Sequence, residues 1–162
     1  MSSGKLTPSS KGAARWADIE AALPHMLVDL WKAPNAPRLE HSDPIPTKAG
    51  VYLFAEADTP IYIGQTRNLR QRLANHCVPS GGHNQASFAF MLAKENFGNY
   101  SGTRSELEKE EDFIPLFTEA KARVSRMPVR FIECGDPETR TVFEVYAAEH
   151  LGTKKYNSFE TH

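Results

Sequence analysis

The spacing of apolar residues changes period several times along the chain, and each change predicts an element. From Ala13 to Trp31 the apolar positions Trp16, Ile19, Leu23, Met26, Leu27 and Leu30 recur at helical spacing. Pro24 should break or kink that run, which predicts one or two amphipathic helices. Four prolines between Pro34 and Pro46 then favour an extended connection. Two short β-rich runs follow, GVYLF (Gly50 to Phe54) and IYIG (Ile61 to Gly64), separated by the polar AEADTP, as in a hairpin with a moderate loop. Asn68 is suited to cap a helix over NLRQRLANH, whose Leu69 and Leu73 would rest on the hairpin.

Helical signal resumes from Asn84 to Asn96, with Phe88, Met91 and Leu92 as its apolar face. An acidic, helix-prone stretch from Ser105 to about Val124 is interrupted at Pro115. MPVRFIEC (Met127 to Cys134) alternates as a third strand, and Asp136 with Pro137 opens a last helix reaching about Leu151. These elements predict an α/β (α+β) domain over residues 48–159, a small three-stranded antiparallel sheet flanked by helices, with an enlarged helical insertion at 77–127. A helical extension and proline-rich linker (13–47) and a disordered arm (1–12), rich in Ser, Gly, Lys and Pro, precede it.

Composition narrows the chemistry. The chain has 162 residues, 40% of them hydrophobic, enough for one sizeable core. Its 19 Lys and Arg against 20 Asp and Glu exclude a polycation that coats nucleic acid indiscriminately, so any basic site must be local. The stretch YIGQTRNLRQRLANH, Tyr62 to His76, carries Arg67, Arg70 and Arg72 without one acidic residue. Cys77 and Cys134 are too few for a disulfide framework, and no Cys/His spacing fits structural zinc. No apolar run approaches the ~18 residues of a membrane span, and the first residues lack the apolar core of a signal peptide. An intracellular, cytoplasmic protein with no membrane partner is expected.

In order along the chain stand GVY at Gly50 to Tyr52, YIG at Tyr62 to Gly64, Arg72 and His76 in the next helix, Glu144 in the last helix, and KYN ending at Asn157. This series resembles the GIY-YIG nuclease family over roughly residues 48 to 159. Val51 replaces the isoleucine of the family's name, and the segment from Cys77 to Met127 is longer than a minimal family core. The resemblance implies a metal-dependent endonuclease that hydrolyses DNA phosphodiester bonds, with the alternative of a nucleic-acid-binding module that keeps the scaffold without cutting.

Phosphodiester hydrolysis needs a positioned water, a proton acceptor, a cation beside the transition state and usually a carboxylate-bound divalent metal. A hairpin turn centred on Ala57 would set Tyr52 opposite Tyr62, placing both phenols in one site. In this scheme Tyr52 is the general base, His76 polarises it, and Arg72 is the transition-state cation, since a guanidinium is always charged and can meet two phosphate oxygens. Glu144 would bind Mg²⁺ or Mn²⁺. Helical geometry alone leaves Glu149 open as an alternative, and the family spacing to Asn157 favours Glu144. The resemblance gives Asn157 an orienting role, and Tyr62 is expected to orient groups.

Gly64 is expected to let a backbone approach the strand end. Gln65, Thr66, Arg67 and Arg70 are expected on neighbouring phosphates, with His83 a further candidate at a helix start. The expected partner is DNA, duplex or branched, with any selectivity expected from the N-terminal helices, the insertion, a homodimer or DNA shape.

Overall fold

The computed structural model describes residues 9–36, 44–157 and 159. Ser9 opens the first helix by accepting a hydrogen bond at Oγ from the Gly12 amide, 3.0 Å away. Helix α1 (Ser10–Lys32) runs through Pro24 as one element. It therefore begins inside the expected arm, whose residues 1–8 lie outside the described residues; so does the 37–43 part of the linker.

Strands β1 (Gly50–Glu56), β2 (Thr59–Thr66) and β3 (Val129–Glu133) form an antiparallel sheet in the order β2-β1-β3. Ala57 and Asp58, with φ of 47° and 62°, make a two-residue turn where the sequence predicts a longer polar loop. Left-handed conformations at both central residues give a turn whose twist matches that of the paired strands.

The register differs from the expected one. Tyr52 faces Gly64 and Tyr62 faces Phe54, with an irregularity between Phe54 and Ala55. The displacement is two residues, an even number, so both phenols keep the same face of the sheet.

Five more helices follow among the described residues: α2 (Leu69–Asn75), α3 (Ser87–Phe97), α4 (Arg104–Leu107), α5 (Phe113–Arg126) and α6 (Pro137–Leu151). Asn68 caps α2 and Asp136 caps α6 as predicted. Pro115 falls in the first turn of α5, where a missing N–H leaves no hydrogen bond unmade, so it starts a helix instead of interrupting one.

Alternation along β1 divides the core. Val51 and Leu53 pack with Ile63 against Ile19, Leu23 and Leu30 of α1 and Phe143 and Ala147 of α6. Tyr52 and Phe54 point the other way, into a cluster built from α2, α3 and α5. The N-terminal helix thus shares a core with the sheet. Among the described residues no helix is long and apolar enough to cross a membrane.

Candidate active site

The second face of β1 carries the polar centre. Tyr52, 1% exposed, crosses the strand boundary onto Gly64: a Cβ built on that glycine would lie 2.3 Å from the phenol Cζ and Oη. Gly64 therefore admits a side chain, not the backbone expected from the sequence. The Tyr52 hydroxyl meets His76 Nε2 at 2.9 Å and accepts from Arg72 Nε at 3.1 Å. Arg72 lies on α2 and His76 is its C-cap, four residues on, so one turn of helix aims both at the same oxygen.

Burial dominates the electrostatics. It pushes the Tyr52 phenol far above its ordinary range, with the neighbouring Tyr62 adding to the rise and Arg72 opposing it. It also raises Tyr62, against the pull of Arg72. His76 is fully buried and is driven down to about 3 by desolvation and then by the Arg72 charge, so its ring is neutral at physiological pH. Tyr62 is half-buried, stacked on Phe88 with ring centroids 4.5 Å apart.

Glu144 reaches this centre from α6. Its charge raises both tyrosines and Arg72 acts on it in turn, which places the four groups in electrostatic reach of one another. Burial holds the Glu144 carboxyl above the usual range, although Gln65 Nε2 donates to its Oε2 at 2.8 Å. Glu149, which helical spacing left open, is exposed and paired with Lys154.

Residues 48–119 match the model of the GIY-YIG catalytic domain. That segment of the chain is similar to a GIY-YIG catalytic domain. Among its relatives is the UvrABC system protein C of Aquifex aeolicus, 36% identical over 78 residues, 48% of this chain and 13% of that protein. The protein of the same name from Deinococcus radiodurans is 46% identical over 37 residues, 23% of this chain and 6% of its own. This chain thus spans a small fraction of the length of those relatives.

Two solved structures of the GIY-YIG N-terminal endonuclease domain of UvrC from Thermotoga maritima also align, each bound to its catalytic divalent cation. A tyrosine-to-phenylalanine mutant is 17% identical, with a TM-score of 0.38, over 74% of this chain and 92% of its own. An asparagine-to-alanine mutant is 15% identical, with a TM-score of 0.36, over 83% and 96%.

Several residues expected at the GIY-YIG site have other partners. Asn157 accepts from the Ile63 amide at 3.0 Å and donates to its carbonyl at 2.6 Å, tying the C-terminal turn to β2, so its amide is not turned to a phosphate. Arg70 Nε donates to the Ile45 carbonyl at 2.7 Å and secures the end of the linker. Thr66 closes the turn before α2 through Asn68, and His83 is held by Glu108, its Nδ1 2.8 Å from Oε2. Arg67 is exposed and makes no hydrogen bond or ion pair among the described residues. The Arg72 Nη atoms donate to the Gln85 carbonyl at 3.2 Å and to Ser87 Oγ at 2.8 Å.

One participant was not anticipated. Arg140, 6% exposed, donates from Nε to Gln65 Oε1 at 3.1 Å and from Nη1 to the Cys134 carbonyl at 3.0 Å. Gln65 thus bridges a buried cation and Glu144. The i, i+4 spacing of Arg140 and Glu144 on α6 was a signal for this pairing.

The Glu144 environment fits a hard divalent cation, because a carboxylate whose negative charge is disfavoured by burial gains from a cation beside it. Among the described residues no group of three His, Cys, Asp or Glu could hold a metal, so the remaining ligands would be water and phosphate.

Proposed function

We propose that this chain is a metal-dependent endonuclease that hydrolyses DNA phosphodiester bonds. The observation that carries it is the convergence of Tyr52, bonded to Arg72 of α2 and to that helix's C-cap His76, with Glu144 of α6, bonded to Gln65 beside the Gly64 that pairs with Tyr52. Glu144 would hold Mg²⁺ or Mn²⁺, which would supply positive charge to offset that developing on the phosphate.

Tyr52 is the general base. Its phenol is neutral at physiological pH, so it can take a proton from water only while passing its own to His76 Nε2, 2.9 Å away. Burial disfavours the phenolate and the His76 imidazolium alike, so the proton rests on His76 only transiently and returns through Tyr52. Arg72 stabilises the transferring phosphoryl group, and its hydrogen bond to Tyr52 couples that charge to the base. Tyr62 orients the phosphate, and Asn157 acts by holding β2 in place.

Duplex or branched DNA in an intracellular setting completes the reading. Nicking of supercoiled plasmid with Mg²⁺, and its absence with EDTA or in Glu144→Gln, tests it; undiminished nicking by Glu144→Gln rejects the metal assignment.

A further inference from the structure

The arginine-rich stretch leading into α2 is largely engaged within the protein. Arg70 holds Ile45, and Arg72 is bonded to Tyr52, Gln85 and Ser87, which leaves Arg67 as the exposed cation there. A polyanion seated at Glu144 and Arg72 therefore needs cations from elsewhere.

A cavity of about 430 Å³ lies between the C-terminal half of α3, the start of α4 and the turn after α6. Lys94, Glu95, Asn99, Arg104, Lys155 and Tyr156 line it. Two contacts fix it beside the site. The Tyr156 ring packs on Phe88 with centroids 5.7 Å apart, and Phe88 stacks on Tyr62. Asn157, next in sequence, is bonded to Ile63, the neighbour of Tyr62.

The cavity's charges do not cancel. Glu95, its one carboxylate, is paired with Lys155 and Tyr156, and hydrogen bonds from those two hold it below the usual carboxylate range. Lys94 and Arg104 remain. Some cations of this protein face carboxylates, as in Lys48–Glu133, Arg123–Glu56 and Lys154–Glu149, which ties up their charge. Lys94 has no such partner among the described residues, and the Arg104 guanidinium lies 5.5 Å over the Phe90 ring. Glu106 and Glu110 nearby are turned to Thr103 and Tyr100 and do not line the cavity.

We propose that this cavity binds a backbone phosphate of the DNA strand beside the bond that is cut, with Lys94 and Arg104 as its cations. The proposal rests on the endonuclease reading and moves the docking surface from α2 to the insertion.

The test measures anisotropy of a short fluorescein-labelled DNA duplex with Glu144→Gln protein in EDTA, over a range of salt. Adding Lys94→Gln and Arg104→Gln, both exposed and checked for folding by circular dichroism, should weaken binding roughly tenfold near ~0.1 M salt. It should also lower the slope of log affinity against log salt by about 2, one counterion-release step of ~0.9 per lost contact. Lys32→Gln, which removes a cation at the far end of α1, should change neither.

Unchanged affinity and slope in the double variant would overturn the cavity and leave the endonuclease reading standing. Failure of the parent protein to bind duplex would remove both. Calorimetric binding of inorganic phosphate as tight as that of the duplex, and lost in the double variant, would assign the cavity to a free anion and also overturn the proposal.

Discussion

Tyr52 and His76 share a 2.9 Å hydrogen bond with both side chains sealed from solvent. Its direction follows from a third group. Arg72 Nε donates to the same phenol oxygen, so the single hydroxyl proton points to His76 Nε2, and the neutral ring carries its own proton on Nδ1. Nδ1 is buried without a partner among the described residues, a cost that a purely structural histidine would avoid.

The two phenols can be told apart. Tyr52→Phe deletes the proposed base and should reduce the single-turnover cleavage rate by about 10²–10⁴-fold. Tyr62→Phe retains the ring stacked on Phe88 and should cost less. Since Tyr62 is the more accessible of the two, a larger loss for Tyr62→Phe would transfer the role of base to it.

His76 also predicts an acid limit on stability. Its folded pKa, about 3, lies below the ordinary 6.5, so the unfolded chain binds the extra proton and stability falls as pH drops through that window. The slope attributable to His76 is up to about 1.4 kcal/mol per pH unit. Urea unfolding from pH 7 to pH 4 should show it in the parent and lack it in His76→Phe, whose ring can occupy the same aromatic pocket. Equal slopes in the two proteins would rule it out.

Glu144 should depend on the residues behind it. Gln65 fixes Oε2 and is itself fixed by buried Arg140, so Gln65→Ala should raise the Mn²⁺ concentration for half-saturation about 10–100-fold. Bound Mn²⁺ counted by electron paramagnetic resonance reads this without turnover. Arg140→Met should weaken the cation to a similar extent and also destabilise the fold, because the Cys134 carbonyl loses its donor.

The sequence makes some of this visible and hides the rest for a definite reason. Period changes mark all three strands and the caps Asn68 and Asp136, since these are local effects. The hairpin register is not visible, because Ala57 and Asp58 adopt left-handed conformations that alanine in particular does not advertise. Spacing on α2 aligns Arg72 with His76. What it cannot show is that Arg70 binds a carbonyl 25 residues away, that His83 meets Glu108 across 25, or that Gln65 meets Arg140 across 75. Periodicity gives a side chain's direction; its partner depends on how distant segments pack.

Gly64 provides the strictest check on the hairpin geometry. A methyl group there would sit 2.3 Å from the Tyr52 Cζ and Oη, inside any tolerable contact. Neither party can yield cheaply: Gly64 lies within β2 and is paired directly with Tyr52, and the Tyr52 ring is held at its tip by His76 and Arg72. Gly64→Ala should therefore cost about 1–3 kcal/mol by overpacking and displace the phenol from its partners. Because loss of the Tyr52 hydrogen bonds accompanies the strain, cleavage should fall well beyond the unfolded fraction. Gly135→Ala, at a position with open space around it, should leave both stability and cleavage near the parent values. A Gly64→Ala protein as stable and as active as the parent would mean that the Tyr52 ring does not cross β2 at this glycine.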